Sequence, residues 1–341
     1  MRAMQVANRG ARSPMSGHDI VVIGGSMGSF DAVKRLCREL PADLKAAVFI
    51  VRHVGRDSGN LLASALNGTG ELPVVTATDG MPVENGRIYV APSDHHLLLI
   101  DNVIRLGRGP RENLARPAVD ALFRSAALAY GPRVIGVILS GYLNDGASGL
   151  AAVRQCGGLA VVQTPADAEA DDMPLGALKA CDVDYRAAAV DLPSTLCALV
   201  DQPPGPQNTP PVGLALEIEI ALGRPSDTAI LSRIADPVAL TCPACSGVLS
   251  QMKDGPNLRF RCQVGHAYTA ETLYAEQETA VDEALRVALR IVEERVTLLR
   301  RMSEDDRNHG RTRSAQTWDA RLADCENDAG IIRQALMRAS S

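Results

Sequence analysis

Asp19-Ile20-Val21-Val22-Ile23-Gly24-Gly25-Ser26-Met27-Gly28-Ser29-Phe30 runs from an unbroken apolar tetrad through a turn of small residues into an amphipathic stretch. Ile20 to Ile23 reads as a strand buried on both faces, since a strand with one solvated face would alternate. Phe30 to Leu40 reads as the helix that follows. Two further apolar runs, Ala46 to Val51 and Val134 to Leu139, repeat the pattern, and Pro117 to Tyr130 supplies another helix between them. Strands alternating with helices predict a parallel sheet, here a three-layer, Rossmann-like, doubly wound α/β domain over residues 19–200. Arg87 to Val90 and His96 to Leu106, separated by turn residues, are expected as an antiparallel pair appended to that sheet.

Ser26 lies in the turn between the first strand and its helix. The carboxyl edge of a parallel sheet is where such folds bind ligands, and a helix N-terminus offers free amides to a developing oxyanion. A dinucleotide cradle is the rival reading of a Gly-rich turn. It requires Gly-x-Gly-x-x-Gly and an acidic residue about twenty positions on, and the sequence has neither. The second strand instead ends on Arg52-His53, which brings an imidazole to the same edge. A serine hydroxyl needs such a base to become a nucleophile at neutral pH. The run Val134 to Leu139 leads into Ser140-Gly141-Tyr142-Leu143-Asn144-Asp145-Gly146, placing Asp145 just past a third strand end to orient His53. The chain order Ser, His, Asp differs from that of the common lipases and esterases.

These three motifs resemble those of the chemotaxis protein-glutamate methylesterase (CheB) family, whose pattern is close to Gly-Ala-Ser-x-Gly-Gly, Gln-His-Met/Leu and Gly-Met-Gly-x-Asp-Gly. Ala91-Pro92-Ser93-Asp94-His95-His96, Arg116-Pro117-Ala118-Val119-Asp120-Ala121-Leu122-Phe123, Gln163 and Met173-Pro174 resemble further family motifs in the same order. The resemblance implies Ser26 as nucleophile, His53 as general base and acid, and Asp145 as orienting carboxylate. It also implies backbone amides of Met27 and Tyr142 as the oxyanion hole, and Arg116, Met173 and Pro174 as substrate-cleft residues. Catalysis needs no cofactor on this reading. The implied reaction is hydrolysis of glutamate γ-methyl esters on methylated chemoreceptors or similar helical proteins, with glutamine deamidation as a second expected activity. The alternative is a catalytically weak module that recognises a helical partner. Gly25 stands where the family has Ala, Ser29 where it has Gly, and Arg52 and Val54 flank His53 in place of the usual residues. Leu143 also replaces a glycine, and its Cβ predicts a shift of the loop that carries Asp145. Only a short tail, residues 1–18, precedes the first strand, so control by a receiver domain in cis is not expected.

Past residue 200 the character of the chain changes. Residues 201–213 form a proline-rich linker, 214–239 a connecting segment, 240–268 a zinc ribbon and 269–341 an antiparallel helical hairpin. Cys242-Pro243-Ala244-Cys245, then Cys262 and His266, give three thiolates and an imidazole at spacings suited to one tetrahedral, closed, structural zinc. The module resembles ribbons that follow the esterase domain in some relatives. Apolar residues Val281, Leu285, Ala288, Val292, Leu299 and Met302 form one helical seam over 270–302. Trp318, Leu322, Cys325, Ala329, Ile332 and Leu336 form another over 312–339, with a turn at Ser303 to Gly310. These helices offer a surface for self-association or partner docking. A net charge of −5 with 3% aromatics leaves neither the basic field nor the stacking platforms of a nucleic-acid binder. No apolar run approaches the ~20 residues of a membrane span, and the remaining cysteines are scattered without framework spacing. A cytoplasmic protein is expected.

Overall fold

The computed structural model describes residues 17–53, 60–226 and 228–339. Of the tail expected over 1–18, residues 1–16 lie outside the described residues, as does Val54. His18 is already buried, with its amide on the Val200 carbonyl.

A seven-stranded sheet carries the fold. Its strands are β1 (Ile20–Gly25), β2 (Ala47–Arg52), β3 (Val74–Thr76), β4 (Arg87–Val90), β7 (Val134–Ile138), β8 (Leu159–Gln163) and β9 (Tyr185–Ala187), in the order β3-β4-β2-β1-β7-β8-β9. All neighbouring strands are parallel. Between them run α1 (Phe30–Glu39), α2 (Leu61–Leu66), α3 (Val119–Tyr130), α4 (Ala147–Gln155), α5 (Asp172–Ala180) and α6 (Leu192–Val200). Alternate residues of β1 serve opposite layers. Ile20 and Val22 pack with Val119, Leu122 and Phe123 of α3 and Leu150 of α4. Val21 and Ile23 pack with Val33 and Leu36 of α1 and Leu196 of α6. Because each side chain is covered, polar residues cannot alternate in the strand. Full burial of each such side chain contributes about 1.5–3 kcal/mol. The chain builds β1 and β2 on one side, then crosses to place β7 on the other flank of β1, so a crevice opens at the carboxyl end of β1.

The expected antiparallel pairing of Arg87–Val90 with His96–Leu106 is corrected: Arg87–Val90 is an inner strand, parallel to both β2 and β3. The hairpin lies wholly within the second run, as β5 (His96–Ile100) and β6 (Val103–Gly107). Its turn is Asp101-Asn102, with φ of 51° and 64°, the two left-handed residues that a two-residue hairpin requires.

Residues 201–213 contain no helix or strand. The segment 214–239 is more than a connection: α7 (Leu214–Leu222) places Leu214 and Ile218 in the core above the sheet. After the short α8 (Thr228–Leu231) comes a four-stranded antiparallel sheet, β10 (Ala235–Thr241), β11 (Val248–Met252), β12 (Arg259–Cys262) and β13 (Ala267–Thr269). All of this forms one compact unit extending to Thr272, and residues 273–341 form a second. In that second unit α9 (Ala270–Asn308) and α10 (Thr312–Ala339) bury Val296, Leu299 and Cys325, with Val292, Trp318 and Leu322 packed beside them. The turn expected at 303–310 is shorter than its polar composition suggests. Ser303 donates to Asp319 (2.6 Å) and Asp306 accepts from the Trp318 indole (2.9 Å), so these polar residues serve the helix pair. Val281, assigned to the seam, is exposed.

Candidate active site and metal cluster

Strand register brings the predicted residues together. Gly25 pairs with Arg52 and Gly24 with Ile138, so Ser26, His53 and the Ser140 loop follow at adjoining strand ends. The Ser26 amide donates to the Ser140 carbonyl (2.9 Å) and the His53 amide to the Gly25 carbonyl (3.1 Å). His53 Nε2 lies 2.8 Å from Asp145 Oδ2. Asp145 is buried, and the same oxygen accepts the Val119 amide (2.6 Å), while Oδ1 accepts Asn113 Nδ2 (3.1 Å) and the Asp120 amide (3.3 Å). Helix α3 has no side-chain cap of its own. The Asp145 carboxylate takes its first amides from outside, where the helix dipole favours an anion. Burial works against the Asp145 anion, but the His53, Asn113 and Val119 hydrogen bonds outweigh it and hold its carboxyl below the usual range.

Two departures in the serine turn compensate for each other. Ser29 is buried and its hydroxyl donates to the Ser26 carbonyl (2.6 Å). A Cβ at Gly25 would sit 2.7 Å from Ser29 Cβ. The missing Cβ at Gly25 therefore leaves the room that the Ser29 side chain takes. Ser140 ties the turn to its neighbours: its hydroxyl donates to the Met27 carbonyl (2.8 Å) and accepts the Ala170 amide (2.9 Å), and its amide donates to Gln163 (2.9 Å). Among the described residues neither the Met27 nor the Tyr142 amide has a hydrogen-bond partner, and both side chains are exposed. Leu143 does not pull Asp145 away from His53. It takes the left-handed backbone itself, φ 61°, and its amide donates to Asp172 (3.1 Å).

Of the three cleft candidates, two are buried and the third is held by its neighbours. Met173 and Pro174 are buried in the first turn of α5, and a Cβ at Gly141 would meet Met173 Sδ at 2.1 Å and Ser26 Cβ at 2.8 Å. They support the loop from beneath. Arg116 Nη2 and Nε bond Asp94 (2.7 and 3.2 Å) and Nη1 bonds the Gly109 carbonyl (2.8 Å), which fixes the guanidinium in a loop brace. A motif shows which residues recur together but not which of them face solvent. Asn113 and Asn144 also border Asp145, and no sequence motif marks them. Asn113 sits with Leu114 in a turn between Glu112 and Ala115, at φ 48°, and its only sequence signal is that Asn tolerates this conformation.

Cys242, Cys245, Cys262 and His266 also converge, their ligand atoms all within 4.8 Å of one another. Cys245 Sγ to Cys262 Sγ is 3.6 Å, and His266 Nδ1 lies 3.8 Å from Cys242 Sγ and 3.5 Å from Cys262 Sγ. Tetrahedral edges built from Zn–S of about 2.3 Å and Zn–N of about 2.0–2.1 Å are about 3.5–3.8 Å, so these separations fit a zinc site, to which His266 would offer Nδ1. Burial, then Arg111, Arg116 and Arg261, lower the His266 pKa and favour the neutral imidazole a ligand needs. Charged residues hold the ribbon against α3, α7 and the loop at Glu112. Arg261 Nη2 bonds Glu112 (3.2 Å) and Glu217 (3.0 Å), Arg259 bonds Glu217 (2.8 Å), and Arg124 pairs with Glu112. Burial opposes the Glu112 and Glu217 anions, and the arginines outweigh it, so both stay ionised.

Fold and site define the class, a hydrolase on an open parallel α/β sheet. The chain belongs to the CheB methylesterase family, whose model matches residues 21–196. A Leptospira interrogans protein is 37% identical over 169 residues, covering 49% of this chain and 88% of its own length. An Anaeromyxobacter dehalogenans protein named protein-glutamate methylesterase/protein-glutamine glutaminase 2 is 36% identical over 178 residues, and the chain spans only 52% of its length. The crystal structure of the Thermotoga maritima CheB methylesterase catalytic domain superposes with a TM-score of 0.52 at 33% identity, covering 54% of this chain and all of that one.

Proposed function

We propose that the chain is a protein-glutamate methylesterase with Ser26 as nucleophile. The observation that carries this is the 2.8 Å contact of His53 with a buried, ionised Asp145, at the strand end adjoining Ser26. With Nε2 committed to Asp145, Nδ1 is the nitrogen that takes the Ser26 proton. Ser26 Oγ attacks the ester carbonyl, and the oxyanion is met by the Met27 and Tyr142 amides, which have no other partner among the described residues. The C–O bond to methoxide breaks, and His53 returns the proton to release methanol. Water, deprotonated by the same imidazole, then attacks the acyl-enzyme, freeing the glutamate carboxylate and restoring Ser26. With a glutamine side chain the leaving group is ammonia. The relatives' names support both ester and amide substrates, and a methylated chemoreceptor helix is the substrate proposed here. The ribbon holds one structural zinc with no open position. Free thiols at Cys37, Cys156, Cys181, Cys197 and Cys325 suit a cytoplasmic location, and no helix among the described residues is long and apolar enough to cross a membrane.

Hydrolysis of a small activated ester, with methanol release from methylated receptor fragments, tests the reading. Ser26→Ala should abolish both. A wild type without Ser26-dependent hydrolysis would leave only the weak binding module.

A further inference from the structure

Strand β13 begins at the residue after the metal ligand His266. Within its three residues it makes the contacts that fix the surroundings of Asp145. The Asn113 amide donates to the Ala267 carbonyl (2.8 Å) and Asn113 Oδ1 accepts the Thr269 amide (2.9 Å). The other end of the same side chain, Nδ2, donates to Asp145 Oδ1 and to Asp120 Oδ2, both at 3.1 Å. A second path runs beside it. Thr269 Oγ1 donates to Asn144 Oδ1 (2.5 Å), and Asn144 Nδ2 donates to Glu271 (2.7 Å). Asn113, Asn144, Thr269 and Asp145 are all buried, so water cannot replace a lost partner without a rearrangement.

We propose that Asn113 and Asn144 are positioning residues through which the Cys242, Cys245, Cys262 and His266 cluster holds Asp145, so that metal loading of the ribbon sets the rate of hydrolysis. This rests on the reading of Ser26 as nucleophile. A segment as short as 240–268 cannot build a core that folds alone, and in such modules metal binding supplies the folding free energy. Loss of the metal releases β13, and with it the partners of both asparagines. Asp145 then keeps only the Val119 and Asp120 amides and His53. A displacement of about 1 Å in a catalytic group costs ~10²-fold in rate. The opposing force is the buried ion network, since Arg259 and Arg261 anchor β12 to Glu112 and Glu217 without any metal. These anchors lie on β12, where Arg259 and Arg261 pair with Thr269 and Ala267, so without the metal β13 is tied to them through only three residue pairs. A strand this short is marginal without the ribbon around it.

The test uses the full chain zinc-loaded, chelated under reductant, and reloaded, alongside Asn113→Ala, with Ser26→Ala as background. Zinc content, kcat and KM for a small activated ester, and the downfield proton resonance of the His53–Asp145 hydrogen bond are read for each. Zinc removal should lower kcat about 10²-fold with KM within about twofold, abolish the downfield resonance, and be reversed by zinc. Asn113→Ala should retain zinc yet show the same loss of kcat and of the resonance, while a merely structural ribbon would leave the folded, zinc-free chain with its full rate. If chelation unfolds the chain, Asn113→Ala decides alone. A folded, zinc-free chain with the full rate and resonance, or a wild-type rate in Asn113→Ala, overturns the proposal. If the loaded wild type shows no Ser26-dependent hydrolysis, the hydrolase reading fails, while the resonance still reports whether zinc and Asn113 hold Asp145.

Discussion

Leu143 occupies a backbone conformation, φ 61°, that disfavours a Cβ by about 1–2 kcal/mol. The loop tolerates this because it is pinned on both sides: the Leu143 amide is held by Asp172, and two residues on Asp145 is held by His53 and the first turn of α3. The strain is thus stored at one residue and is not relieved by moving the carboxylate. Glycine would remove it, offset by glycine's larger loss of chain entropy of about 0.5–1 kcal/mol. Leu143→Gly is therefore expected to stabilise the protein by about 0.5–1 kcal/mol, raising Tm by about 1–4 °C, and Leu143→Val to destabilise it. Thermal unfolding of the two variants checks both signs, and a lower Tm for the glycine variant would show that the leucine side chain contributes packing that outweighs the strain.

The first turn of α3 is the element on which the site depends. It donates the Val119 and Asp120 amides to Asp145 and carries a second buried carboxyl, Asp120, which accepts from Gly149 (2.6 Å) and Asn113 (3.1 Å). Burial, then the neighbouring Asp145 charge, push Asp120 up to about 7, against Arg124 and Arg259, which pull it down. Its folded pKa thus exceeds its unfolded one, and between about pH 4 and pH 7 the folded state binds a proton that the unfolded state does not. Asp120 therefore lowers stability as pH rises through that window. Asp145, shifted the other way, contributes stability above about pH 4 that is lost only in stronger acid. Urea unfolding from pH 4 to pH 7 should show a downward contribution that Asp120→Asn removes, and an unchanged slope in that variant would assign the titration elsewhere. The strand ends bearing Ser26, His53 and Asp145 were legible because each is local: an apolar run, then small residues, then the reactive side chain. The contacts that hold them were not. Val119 meets Asp145 from 26 residues away, and Asn113 meets Thr269 across 156. The hairpin of β5 and β6 is hidden in the sequence for a related reason. Its turn, Asp101-Asn102, sits inside what looked like one apolar run, leaving Arg87–Val90 free to join the parallel sheet.

At the scale of the whole chain, the division between compact units falls at Thr272. The linker 201–213 does not separate a catalytic half from an accessory half, because α7 and the ribbon pack in the same compact unit as the parallel sheet. The part with a core of its own is the helical pair, built on Val296, Leu299 and Cys325. On its outer surface Val287, Ile291 and Leu298 remain exposed, at spacings that repeat along one side of a helix. A chain ending at Thr272 should keep zinc and the ester turnover of the full chain, since it retains Ser26, His53, Asp145, Asn113, Asn144 and β13. It should lose activity selectively on methylated receptor fragments if the helices dock that substrate. A chain ending at Val200 keeps the three proposed catalytic residues and lacks α7, the ribbon and β13, so its small-ester kcat should fall about 10²-fold. The pair of truncations separates two roles that a single cut would merge. Equal ester turnover in both would sink the role assigned to the ribbon, and undiminished action of the Thr272 truncation on receptor fragments would remove the helices from substrate recruitment.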